Sequence, residues 1–194
     1  MICTTFKGYN ASCANLAGGI SAIWIFDPND FNFTADATTG AYTAITAMTP
    51  PTGETGTQSL YQVNFLYKEA ERKFKQSVKM GCFVKFEHEI SASLPQLSQG
   101  LTTFLSSLSK GACCCGIGVI IQHNDGNIFV MGEKYVNGAV IPRFYVVMDG
   151  SEGGSGKLFD DFNGAQVSIK GDYLRELNQF TGLITAITAL VATT

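Results

Sequence analysis

In the stretch MGCFVKFEHEI, residues 80–90, every second position is apolar apart from one histidine: Met80, Cys82, Val84, Phe86, His88 and Ile90. Lys85, Glu87 and Glu89 fill the places between them. Successive side chains of a strand point to opposite faces, so a period of two held over this length predicts a long β-strand with one dry face and one charged face. Long strands of this kind suit extended sheets shared between subunits, because each further residue adds backbone groups that need a partner.

Working outward, the same chemistry recurs. GGISAIWIF (18–26) reads as a strand opened by two glycines, and DPND (27–30) supplies turn residues that end it. FNFTADATTG (31–40) reads as a polar loop or loose strand, AYTAITAM (41–48) as a Thr-rich strand stopped by Pro50 and Pro51, and PPTGETGTQ (50–58) as a loop. IFVMGE follows HNDGN, where Asp125-Gly126 fits a tight hairpin turn. RFYVVMDG (143–150) is a further strand, GSEGGSG (150–156) a flexible loop, and residues 165–170 alternate again. The Thr-rich tail FTGLITAITALVATT predicts a terminal strand or a docking arm.

One segment has a helical period. In SLPQLSQGLTTFLSSLSKG (93–111), Leu94, Leu97, Leu101, Phe104, Leu105 and Leu108 fall on one stripe. Ser93 is placed to cap, Pro95 lies in the first turn, and Lys110 with Gly111 closes the end, so a helix is expected over about 93–110. The expected architecture is one mainly β domain over 1–194, a β-sandwich or barrel with one flanking α-helix and extended loops or arms.

The chain has 194 residues, 45% of them hydrophobic and 15% charged, against the roughly 25% charged of ordinary soluble domains. A surface this poor in charge suggests that partners cover part of it. The net charge of −3 gives no general attraction for phosphate. The one basic concentration, Lys68, Arg72, Lys73, Lys75, Lys79 and Lys85, is interrupted by Glu69 and Glu71 and reads as a solvated strand face or a contact with an acidic neighbour. No secretory signal or membrane-spanning run is visible, so synthesis in a cytoplasm with six reduced cysteines is expected.

Candidate chemical motifs are weak. The run GACCCGIGVI (111–120) places Cys113, Cys114 and Cys115 side by side. On an expected strand, Cys113 and Cys115 share one face and Cys114 takes the other, so the three cannot converge on one tetrahedral ion and are expected to fill space. GGSGK (153–157) has Leu158 where a phosphate loop needs Ser or Thr. KMGCFVKF (79–86) carries Met80 and Gly81 where an RNA-stacking motif needs Gly and an aromatic. His88, His123, Asp160 and Asp161 have no partners at a spacing that predicts a nucleophile pair or a metal cage. No catalytic, cofactor-binding or metal-binding residue is assigned, and an enzyme is not expected.

Three signals together resemble a known family. They are C…C.N.AGGISAIWI (Cys3, Cys13, Asn15, Gly18, Gly19, Ile20, Trp24 and Ile25), the hairpin HNDGNIFVMGE (123–133) and the late GSGKLFDDFNGAQVSIKG (154–171). They are similar to virion structural proteins of tailed phages infecting Bacteroidetes, above all their tail tube (major tail) proteins. The resemblance implies a subunit that assembles with itself, six copies to a ring, into stacked rings forming a hollow tube through which genomic DNA passes without specific binding. Each copy would lend strands to a continuous inner barrel. Other tail proteins would be further partners, and the place would be the virion tail, made in the host bacterial cytoplasm, with no membrane. A tail-completion or capsid-decorating protein, or the inner tube of a contractile injection system, is the alternative. A sugar- or peptide-binding sandwich would instead need a concave aromatic site.

On this expectation the basic patch at 68–85 faces a ring neighbour or the exterior and stays out of the bore. Loops 27–40 and 50–58 and the C-terminal arm 179–194 make contacts between rings. Removing residues 180–194 is then expected to leave a folded monomer that no longer polymerises.

Overall fold

The computed structural model describes residues 18–49, 58–66, 69–79, 83–114, 116–141, 146–155 and 163–192. The chain is mainly β, with two sheets and one main flanking helix, and the sheets form no closed barrel.

The first sheet is built from short strands: β1 (Ile20–Phe26), β2 (Phe31–Ala35), β3 (Tyr42–Ala47), β4 (Tyr61–Val63), β7 (Gly118–His123), β8 (Ile128–Met131), β9 (Tyr135–Val136), β10 (Ala139–Val140) and β13 (Gln179–Phe180). Their order is β10-β9-β2-β3-β13-β8-β7-β1-β4. The second is built from long ones, β5 (Ala70–Lys79), β6 (Phe83–Pro95), β11 (Val146–Gly154) and β12 (Gly164–Tyr173), in the order β11-β12-β6-β5, every pair antiparallel. The helices are α1 (Gln99–Cys114) and the five-residue α2 (Ile184–Thr188).

Two apolar clusters lie on opposite faces of the first sheet. Ile23 and Ile25 of β1 and Val119 and Ile121 of β7 face the second sheet, where they meet Ile90, Ala92 and Leu94 of β6, Val167 and Ile169 of β12, and Leu108 of α1. Trp24, Phe26 and Ile120 point the other way, into a cluster with Phe31, Phe33, Tyr42, Val130, Phe180 and Ile187. A strand buried on both faces needs apolar residues at consecutive positions, which is why β1 reads IWIF instead of alternating. The hairpin at Asp125-Gly126 forms as expected, with Gly126 at φ 89° and the Asp125 carboxylate accepting the Asn127 N–H at 2.9 Å.

Several expectations are corrected. The helix covers 99–114 instead of 93–110. Ser93, Leu94 and Pro95 belong to β6, paired with Gln166, Ala165 and Gly164, and Leu94 is buried as a strand residue. The cap is Ser98, whose hydroxyl accepts the Leu101 N–H at 3.2 Å. Gly111 does not stop the helix; the left-handed residue is Gly116, at φ 72°. Cys113 and Cys114 are therefore helical, and Cys113 is exposed, contrary to the space-filling role; Cys115 lies outside the described residues.

Residues 31–35, expected as a polar loop or loose strand, form β2, and Phe31 and Phe33 are fully buried, so only the flanks of the 27–40 segment are turn. Most of the expected loop at 150–156 is strand, since β11 runs to Gly154. Residues 50–57 lie outside the described set.

The C-terminal segment is seated on its own chain. Thr181 N–H donates to Tyr42 O at 2.7 Å, Leu60 N–H to Leu190 O at 2.8 Å and Ala192 N–H to Leu60 O at 2.9 Å. It thereby ties the β3 side of the first sheet to the start of β4. Because Phe180 and Ile187 are core residues, removing 180–194 takes away part of the core, and a folded remnant is no longer expected. Ile187→Ala should lower the unfolding free energy by about 2–4 kcal/mol in urea titration, whereas Thr185→Ala, on the exposed side of α2, should change it by less than about 0.5 kcal/mol.

Candidate functional site

Alternation along β5 and β6 gives the second sheet two unlike faces. Arg72, Phe74, Gln76 and Val78 of β5 share the core side with Val84, Phe86, His88 and Ile90 of β6, their cross-strand partners. The outer face carries Glu71, Lys73 and Lys75, then Lys85, Glu87 and Glu89, then Lys170 and Asp172 of β12. Asp149 and Glu152 of β11 complete it.

The outer face is laced with ion pairs. Lys85 lies 2.8 Å from both Glu87 and Asp172, Lys170 lies 2.7 Å from Asp149 and 3.6 Å from Glu89, and Lys73 pairs with Glu71. Hydrogen bonding to Asp172 holds the Lys85 ammonium above its usual pKa, and Asp149 does the same for Lys170. Such exposed pairs add little stability, but they cancel charge locally. By register five lysines (73, 75, 79, 85, 170) share the face with six carboxylates (71, 87, 89, 149, 152, 172), so the described face is close to neutral with an acidic excess of one. The basic run is thus met by carboxylates of the same sheet; Lys68 lies outside the described residues.

Among the described residues neither edge of this sheet has a partner strand. Among the described residues β5 has only β6 beside it and β11 only β12, apart from the Val146 carbonyl, which accepts the Ile117 N–H at 3.2 Å. The dry side of β5 also outruns the core, leaving Phe74 60% and Val78 68% exposed. At the other edge an open groove of about 380 Å³ separates α1 from β11, lined by Ser109, Cys113, Val147, Met148, Gly150 and Ser151.

Two polar clusters lie where the 174–178 connection passes from the second sheet to the first. In one, the Arg72 guanidinium pairs with Glu176, sits 3.4 Å from His88 Nδ1 and stacks 4.5 Å above the Phe129 ring. In the other, the Tyr42 hydroxyl donates to Glu133 Oε1 at 2.7 Å, with Arg175 at 4.0 Å. Among the described residues no three His, Cys, Asp or Glu side chains stand together as a metal site.

Of the residues weighed from sequence, the two histidines meet at the Arg72–Phe129 pair, while Cys113 stands apart from them. His88 is in the Arg72 cluster, His123 packs 5.1 Å from the Phe129 ring, Cys113 ends α1, and Asp160 and Asp161 lie outside the described residues, as does Lys157 of GGSGK. Val84 and Phe86 of KMGCFVKF are on the dry side of β6. Arg72–Glu176 and Tyr42–Glu133 were not foreseen, because 104 and 91 residues separate the partners and neither pair has a local spacing signal. Compared with protein-family models, with curated proteins and with solved structures, the chain matches none. Among the described residues no helix is long and apolar enough to cross a membrane.

The clusters give the fold a pH dependence. Burial lowers the His88 pKa, with Glu176 opposing and Arg72 reinforcing the shift. The unfolded chain then binds more protons than the folded one, so this contribution is lost as pH falls through the unfolded value near about 6.5. Burial raises the Glu133 pKa, which acts in the opposite sense: its contribution is lost as pH rises above the unfolded value of about 4.3. In urea titrations at pH 5.5 and 7.5, His88→Gln should lose less stability on acidification than the native chain. Glu133→Gln should gain on the native chain as pH rises from 5 to 8.

Proposed function

We infer that the protein is a structural subunit that polymerises through the open edges of its second sheet into a tube, the role implied by its resemblance to phage tail tube proteins. The observation that carries this is the stagger of that sheet. Hydrogen-bonded rows set Val146, Gly171, His88 and Phe74 level with one another, yet Val146 begins β11 while Phe74 lies at the middle of β5. Pairing the two edges over their full length therefore requires a slip along the strands.

The slip has to be even, because an odd one would turn charged side chains onto the dry side. A slip of four rows sets Phe74 opposite Ser151, counting Val147, Met148, Gly150 and Ser151, with Asp149 the extra residue of the bulge. Four residues per four strands is one residue, roughly 3.3 Å, per strand spacing of roughly 4.8 Å. The strands would then tilt by about 35°, at the edge of the roughly 35–45° typical of closed barrels, whatever the number of copies. With six copies the barrel has about 24 strands and a backbone diameter of about 45–50 Å. The antiparallel alternation continues across the junction, since β5 and β11 run in opposite directions.

The hand agrees as well. Ser93 directs its N–H to Glu69 O and its carbonyl to Leu66 N–H, toward the β5 side. For L-residues this puts β5 at the left and low, and β11 at the right and high, when the sheet is viewed from the core side with β6 running up. Strands in such a ring lean to the right seen from outside, the sense in which right-twisted strands coil around a barrel.

The core occupies one side of the sheet, so only the charged side can line a bore. This reverses the expectation that the basic patch stays out of it: Lys73, Lys75 and Lys85 would face the passage. The pairing of Lys73 with Glu71 and of Lys85 with Glu87 and Asp172, together with the slight excess of carboxylates, leaves no dense positive field to hold a polyanion. The loop and arm contacts proposed between rings reduce to the turns flanking β2 and residues 50–58, since 179–192 are occupied within the chain.

Purified protein should form hollow rods above a threshold concentration, visible by negative-stain microscopy. Gln76→Pro removes an N–H that strand alternation directs away from β6, so it should leave the far-ultraviolet circular dichroism unchanged and abolish the rods. A native chain that stays monomeric at high concentration, or rods indifferent to the proline, would refute this function.

A further inference from the structure

We propose that Phe74 of one copy seats in the groove between α1 and β11 of the next copy, where it meets Ser109, Met148 and Ser151, and that Lys73 pairs there with Glu152. The proposal rests on the polymerising function above and deepens it by naming the contact that fixes the slip between copies.

Three independent features meet at this point. Phe74 is a large aromatic side chain that its own fold leaves mostly exposed on the dry side of an edge strand, touched there by Arg72, 5.9 Å above its ring, and by the His88 ring at 6.2 Å. The four-row slip derived from backbone rows alone sets Phe74 opposite Ser151 and Gln76 opposite Met148, both core-side positions of β11. Those two β11 residues line the only described groove between α1 and that edge, beside Ser109, whose hydroxyl lies 3.4 Å from Met148 Sδ.

Charge agrees on the opposite face. The same slip places Lys73 opposite Glu152 and Lys75 opposite Gly150, next to Asp149 in the bulge. Slips of two or six rows would move Lys73 opposite Gly150 or Gly154 instead, and would shorten the paired length. One basic edge and one acidic edge on the same chain also make the contact head-to-tail, which closes rings and disfavours pairing of like edges. Gly150, Gly153 and Gly154 thin the side chains along the β11 edge, so a neighbouring backbone can approach closely there.

The test places the photocrosslinker p-benzoylphenylalanine at position 74 of the full chain and mixes it with nitrogen-15-labelled native protein before irradiation. Cross-links between light and heavy chains should map to residues 105–113 or 146–151. Phe74→Ala should raise the threshold concentration for rods by about tenfold or more. Lys73→Glu and Glu152→Lys should each impair assembly, and the double exchange should restore it. Rods that form with cross-links elsewhere, or with no rescue by the double exchange, overturn this contact and leave the tube function standing. A native chain that never assembles overturns both.

Discussion

Pairing along β6 is what the rest of the structure depends on. This one strand is flanked over ten rows by β5 and over ten rows by β12, and its even-numbered side chains supply the dry surface against which the first sheet and α1 pack. The same run shows where the molecule stops being self-sufficient. From Leu94 through Ala92 to Ile90 the side chains are buried; at Phe86 and Val84 they are only half covered, and across from them Val78 is open. Backbone hydrogen bonds extend the sheet at little cost, but only packing dries its faces, and here the hydrogen-bonded ribbon is longer than the core beneath it.

Alternation in 80–90 was legible because strand geometry is local and needs only the pattern of polarity. The helix start was not, and Leu94 shows why. It lies three residues before Leu97, which fits a helix, and it also continues the even series 84, 86, 88, 90 and 92, which fits a strand. Its pairing with Ala165, contributed by a strand far along the chain, settles the competition, and no local propensity reports that. The cysteine run failed for a related reason. Gly111 looks like a stop, but it sits against Ile117 inside the helix, and the turn falls to Gly116. In 31–35 the buried faces of Phe31 and Phe33 were masked by Asn32, Thr34 and the polar residues after them, although the period of two was there to be read.

The buried polar clusters lay beyond any reading of sequence, yet their place in the fold gives them a role. Arg72 with Glu176, and Glu133 with Tyr42 and Arg175, hold the two sides of the connection 174–178 as it crosses between the sheets. Asn178 O also accepts the Val130 N–H at 3.2 Å. Buried ionic groups are weak sources of net stability, but each tolerates few alternative arrangements, so two in succession fix the register at which β12 hands the chain to β13. They sit on the side of the second sheet away from its charged face and away from β11, with Arg72 itself contributed by β5.

Two long edges without a partner strand among the described residues are an aggregation hazard unless something on them refuses a like edge. Natural edge strands are protected by charged side chains, lysine above all, and by bulges, and both edges here carry such devices: lysines on β5, a bulge at Asp149 and acidic residues on β11. Two β5 edges brought together would oppose lysine to lysine, and two β11 edges would oppose carboxylates, whereas β5 against β11 sets unlike charges together. Under the proposed function, such a charge pattern would block the symmetric pairings and permit the asymmetric one. In the proposed assembly the same slip would repeat at every junction, so the curvature would be uniform, and uniform curvature is what separates a closed ring from an irregular aggregate.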